Sequence, residues 1–139
     1  MISATADSNI YISGLRSAGP ASHFLYIART GQLRLDISDE ILGETIGVLR
    51  EKFSLPGELL HHISEQITGF THRVTPTDRL DVIKEDPDDN MVLECAQAAG
   101  SDYIVSFDQD LLRLEQFGRI RILKPSEILD VVRGRGERR

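Results

Sequence analysis

Residues 86–110, DPDDNMVLECAQAAGSDYIVSFDQD, constrain the chain more than any other stretch, because they write one helix and one strand with acids at both ends. Asp86 precedes Pro87, as expected at a helix start: proline has no donor to lose there, and the preceding carboxylate accepts from free backbone N–H groups. Met91, Val92, Cys95, Ala96 and Ala99 recur at the spacing of one buried helical face, and Gly100 supplies the stop. Tyr103-Ile104-Val105-Ser106-Phe107 then shows little polar alternation, which is how a strand covered on both faces of a parallel sheet reads. Asp108 follows directly, at the carboxyl end of that strand, the edge where open α/β sheets bind ligands. Capping and the helix dipole also favour acids at Asp86, Asp88, Asp89, Asp108 and Asp110. What capping leaves unexplained is the recurrence of carboxylates at two further strand ends.

The first of these follows residues 2–6, Ile-Ser-Ala-Thr-Ala, a strand candidate that alternates and lacks the Val/Ile density of a central parallel strand. It ends at Asp7-Ser8-Asn9, a carboxylate and an amide at a strand-to-helix junction. Residues 21–30 have helical spacing through Phe24, Leu25 and Ala28, closed by Gly31. Residues 33–37 alternate as a second strand, and Ser38 is a good N-cap with Asp39 and Glu40 in the first turn. That helix runs to about Phe53 on a stripe of Ile41, Leu42, Thr45, Val48 and Leu49, with Glu44 on its flank. Glu40 and Glu44 stand one turn apart and repel by roughly 0.2–0.5 kcal/mol, which a cation nearby would relieve.

Pro56 opens another helix through Leu59, Leu60, Ile63, Ile67 and Phe70; its His61 and His62 have no third ligand spaced for zinc. Residues 71–74 form a short strand candidate and residues 119–123 alternate like an edge strand. Pro125-Ser126-Glu127 starts a last helix. Helices fall between strands almost throughout, so the expected fold is a three-layer α/β/α domain on a mostly parallel, five-stranded sheet over residues 1–132, with residues 133–139 a flexible basic tail.

The chain of 139 residues is 40% hydrophobic and 27% charged, ordinary values for a globular domain. Neither a membrane-spanning run nor a signal peptide is indicated, and a cytoplasmic protein is expected. Cys95, the single cysteine, lies on an apolar helix face and reads as a small buried hydrophobe. The net charge of −6 argues against nucleic-acid binding through bulk electrostatics, although the last seven residues carry four Arg against one Glu, leaving −9 on residues 1–132. An acidic body with clustered acids attracts divalent cations instead.

In the expected sheet, Asp7 and Asp108 emerge at carboxyl ends of strands, while Glu44 and Asp89 lie in the first two turns of helices that start from the same edge. Four carboxylates in one cleft are costly unless protons stay on them or a cation neutralises them, and such hard oxygen ligands select Mg²⁺ or Mn²⁺. Metal-assisted hydrolysis of a phosphodiester is the chemistry this set suits. Asn9 and Ser106 would orient the acids or bound water. A phosphoryl-transfer domain using Asp108 and Asp110 as nucleophile and acid would leave Glu44 and Asp89 without a role.

Taken together, Asp7-Ser8-Asn9, Ser38-x-x-Ile-Leu-x-Glu44, Asp86-Pro-x-Asp89-Asn-x-x-Leu with Ala96 and Ala98-Ala99-Gly100, and Tyr103-Ile-Val-Ser106-Phe-Asp108-x-Asp110-Leu-Leu resemble the PIN domain over about residues 2–130. The nearest look is to its VapC-like branch of toxins from toxin-antitoxin systems. The resemblance implies a Mg²⁺- or Mn²⁺-dependent ribonuclease on a parallel five-stranded sheet, often a homodimer and often inhibited by a cognate antitoxin. It carries the family's acidic quartet onto Asp7, Glu44, Asp89 and Asp108, with Asp110 a further candidate ligand, its small hydroxyl residue onto Ser106 and its amide onto Asn9. Ser8 stands where the family commonly has Thr. The other reading the resemblance allows is a PIN-like module that binds RNA or protein without a productive metal site.

Overall fold

The computed structural model describes residues 1–134. Its elements are β1 (Ser3–Ala6), α1 (Ser8–Arg16), α2 (Pro20–Arg29), β2 (Arg34–Ser38), α3 (Asp39–Phe53), α4 (Gly57–Phe70), β3 (His72–Val74), a 3₁₀ turn (Pro87–Asp89), α5 (Asn90–Ala99), β4 (Tyr103–Val105), α6 (Gln109–Leu114), β5 (Gln116–Phe117), β6 (Ile120–Leu123) and α7 (Pro125–Val132). The strands form one sheet in the order β3-β2-β1-β4-β6-β5, parallel throughout except for the β5–β6 hairpin. The α/β architecture expected from the sequence is therefore present. All but the first two residues of the expected basic tail lie outside the described residues.

The chain steps one way from β1 to β3 and then crosses back to β4 and on to β6. Right-handed crossovers put α1 to α4 on one face and α5 and α6 on the other. The reversal leaves a crevice between β1 and β4, the place where open sheets of this kind present ligand sites. β1 is one of the two central strands although its side chains are small. Ala4 and Ala6 are fully buried, and Thr5 hydrogen-bonds Ser101 Oγ at 2.8 Å. Burial on both faces needs complementary neighbours rather than bulk, so a thin Ala/Thr strand suffices where Ile10, Phe24, Ile37 and Ile104 fill the space around it.

Three expectations are corrected. The sheet has six strands, not five: Gln116–Phe117 pairs antiparallel with Ile120 and Arg121 around Gly118, whose φ of 62° suits a tight turn. β6 is therefore covered, and the edge belongs to a two-residue strand too short to show a period. The helix predicted from Pro87 begins with a 3₁₀ turn, capped by Asp86. Its buried face is also broader: Leu93, Asn90 and Glu94 are buried, while Met91 and Ala99 are only partly so. α5 packs against four strands on one side and, through Asn90 and Glu94, against the segment preceding it on another.

One acid is spent entirely on the fold. Asp36 on β2, fully buried, accepts from Arg34 Nε (2.7 Å), Arg34 Nη2 (3.2 Å) and Ser101 Oγ (2.7 Å), and pairs with His72 Nδ1 (3.0 Å) across to β3. Removing this carboxylate takes away the counter-charge of Arg34 and His72, although Arg34 Nη2 keeps Ala99 O and Ser101 Oγ keeps Thr5. Asp36→Ala should lose about 3 kcal/mol of stability, the low end of what breaking a buried pair costs because Arg34 and His72 are partly exposed. Chemical denaturation measures it, and faster amide exchange in β3 should accompany the loss.

Candidate metal centre

Asp7 leaves β1 as the N-cap of α1, and its N–H continues the ladder to Val105 O at 3.0 Å. One carboxylate oxygen, Oδ1, accepts from Ser8 N–H (2.7 Å); the other, Oδ2, accepts from Ser106 Oγ (2.9 Å) and Asn9 Nδ2 (3.3 Å). Ser106, fully buried just beyond β4, also accepts from Asp108 N–H at 2.9 Å. Asp108 in turn caps α6 through Asp110 N–H at 2.8 Å. Capping and convergence are thus not rival explanations. The same carboxylates start helices and meet at the crevice.

Asp89 is different. It precedes α5 but makes no side-chain capping bond, is buried, and its Oδ2 has no hydrogen-bond partner. One carboxylate oxygen from each of Asp7, Asp89 and Asp108 lies within 4.8 Å of the others. That spacing is comparable with oxygens around one hard divalent cation, whose bonds are about 2.0–2.6 Å long. An all-carboxylate set with a buried oxygen lacking a donor fits such a cation by its chemistry, since unpaired buried charge is otherwise costly.

Glu44 and Asp110 stand outside this trio. Glu44, half-buried on α3, accepts from Ser8 Oγ at 3.1 Å, so one residue links it to Asp7. Asp110 faces Arg113 Nη1 at 2.9 Å. Asn9 holds Asp7 and accepts from Phe107 N–H at 3.4 Å, and Ser106 ties Asp7 to the Asp108 backbone. His61 is exposed and pairs with Glu65 at 3.4 Å on its own helix.

Two residues to which the sequence analysis gives no role hold the segment leading to Asp89. Asn90 Oδ1 accepts from Val82 and Ile83 N–H, both at 2.9 Å, and its Nδ2 donates to Ile83 O and Pro87 O, both at 3.0 Å. Glu94 accepts from Leu80 N–H at 2.8 Å and faces Arg79. Their signal is a polar pair one turn apart on a helix otherwise read as apolar, which marks a face turned toward irregular backbone.

The electrostatics follow from burial and like charge. Burial raises the Asp89 pKa to about 8, with the charges of Asp108, Asp7 and Asp86 adding to it. Burial also raises Asp7, opposed by the hydrogen bonds from Ser106 and Ser8. Glu44 is raised by burial and by Asp7. Between the ordinary value of 3.8 and about 8, the folded chain keeps a proton on Asp89 that the unfolded chain has released, so stability falls as pH rises through that window. In EDTA, Asp89→Asn should melt higher than the parent by a margin that widens from pH 5 to pH 8. Parallel melting curves would show that Asp89 carries no retained proton.

A sequence model of the PIN domain matches residues 4–110, well over half of the chain. Among curated proteins, none matches it. The matched span holds Asp7, Glu44, Asp89 and Asp108 together with β1 to β4, which build the crevice, and on that ground the chain belongs to the PIN domain family.

Proposed function

We propose that residues 1–132 form one PIN domain that acts as a Mg²⁺- or Mn²⁺-dependent endoribonuclease, hydrolysing phosphodiesters of single-stranded RNA. The observation that carries this reading is Asp89: a buried carboxylate oxygen without a donor, set against Asp7 and Asp108 at the crevice between β1 and β4. PIN domains are generally metal-dependent nucleases, and this trio is compatible with that chemistry.

In this reading Asp7, Asp89 and Asp108 hold the cation. Bound there, a divalent ion lowers the pKa of water and offsets charge building on the phosphodiester. Ser106 and Asn9 fix the Asp7 carboxylate, so that it meets the ion with little reorganisation. Glu44, held by Ser8 with its proton affinity raised by burial and by Asp7, would complete the acidic set, as a fourth ligand or as the acceptor of a proton from the attacking water. Asp110, whose Oδ1 pairs with Arg113, would be a further ligand. The toxin role, a cognate antitoxin, a homodimer and a cytoplasmic setting are proposed on the resemblance and the sequence alone; among the described residues, no helix is long and apolar enough to cross a membrane.

One observation favours a second reading, a PIN-like binding module. With its pKa near 8, Asp89 sits neutral at physiological pH, so the pocket is tolerable without any ion. Calorimetric titration with Mn²⁺ separates the two. The nuclease reading expects saturable binding that releases about one proton per ion near pH 7, because Asp89 must deprotonate to ligate. It also expects cleavage of single-stranded RNA with Mn²⁺ that falls at least about 100-fold in Asp89→Asn and Asp108→Asn, and about 10- to 100-fold in Ser106→Ala. Equal cleavage by Asp89→Asn, or no cleavage by the parent, would reject it.

A further inference from the structure

The sequence reads Phe107 as part of a buried strand, yet the residue is 42% exposed. Among the described residues, the other large aromatic left so exposed is Tyr26, whose ring lies 5.7 Å from the Arg29 guanidinium on α2. A single exposed apolar side chain is ordinary in itself. The position of this one is not. It stands between Ser106, which grips Asp7, and Asp108, a member of the acid trio, so its Cα is about 3.8 Å along the chain from each of its neighbours' Cα atoms. Its own N–H donates to Asn9 Oδ1, and the following N–H, of Asp108, donates to Ser106 Oγ. The backbone that carries the ring is thus pinned on both sides to the groups that orient Asp7.

We infer that Phe107 is a substrate-binding residue whose ring stacks on an unpaired base of the RNA strand next to the phosphodiester at the acid trio; this rests on the nuclease reading. Charge favours this role for an apolar ring. With a net charge of −6 and an acidic crevice, the chain gains little from long-range attraction to a polyanion, and stacking needs no charge. Every base has a π-face, so such a contact tolerates sequence. It also selects single strands, since a paired base is already stacked within its duplex. A ring on fixed backbone loses little freedom on binding.

The test uses a single-stranded RNA carrying 2-aminopurine, titrated with the full chain bearing Asp89→Asn in Mn²⁺ so that the strand stays intact. Stacking quenches the probe. Adding Phe107→Ala should weaken binding by roughly 5- to 150-fold and remove the quench, whereas Phe107→Trp keeps both. In the otherwise unaltered chain, Phe107→Ala should raise KM for cleavage far more than it lowers kcat, with an unchanged melting temperature. Unchanged affinity in Phe107→Ala, full function in Phe107→Leu, or no RNA binding by the parent would overturn the inference. So would loss of a dimer in Phe107→Ala with RNA affinity intact, which assigns the ring to a contact between copies of the chain. The two readings fail separately: cleavage with a KM indifferent to Phe107 sinks stacking alone, and Phe107-dependent binding without cleavage by the unaltered chain sinks the nuclease alone.

Discussion

The parallel pairing of β1 with β4 is the constraint from which the rest of the molecule follows. Ala4, Thr5 and Ala6 lie against Tyr103, Ile104 and Val105, and the ladder continues one step further through the Asp7 N–H to Val105 O. Beyond that step the two chains part, one into α1 and the other through Ser106 toward α6. Two helix starts, each capped by an aspartate, are thereby set side by side at the reversal of strand order. The register decides that Ser106 meets Asp7. A slip of one residue would turn the Ser106 hydroxyl to the other face of the sheet.

Two buried aspartates show how environment, rather than residue type, separates structure from chemistry. Asp36 is ringed by Arg34, His72 and Ser101, so its charge is answered within the fold. Asp89 has acids for neighbours and no donor at Oδ2. The first arrangement fixes an edge strand. The second can become comfortable only with a proton or a cation, and groups displaced this far from their ordinary pKa gather at functional sites. Asp7 lies between these extremes: burial raises its pKa, and the hydrogen bonds from Ser106 and Ser8 lower it without cancelling that rise.

Much of this was legible in the chain itself. The apolar periods of α3 and α5, the caps at Ser38 and Asp86, and the alternation of helices with strands reflect local forces, so they gave the α/β class and put Asp7, Glu44, Asp89 and Asp108 at one sheet edge. Less visible was whatever depends on neighbours distant in sequence. β5 has two residues and no readable period. Residues 103–107 look like one strand, but the strand ends at Val105 and Phe107 is exposed. Asn90 and Glu94 add nothing to the apolar stripe of α5, and the segment they hold lies outside any helical window.

By itself, the sequence determined most of the helices and strands and where acids fall relative to their ends, because capping, glycine stops and hydrophobic period act within a few residues. Only the tertiary structure decided which acids meet. It brought Asp7, Asp89 and Asp108 together, kept Glu44 one hydrogen bond away behind Ser8, and turned Asp110 to Arg113. The reason is that distances between side chains on different elements are set by strand order, register and helix packing, none of which a local pattern encodes.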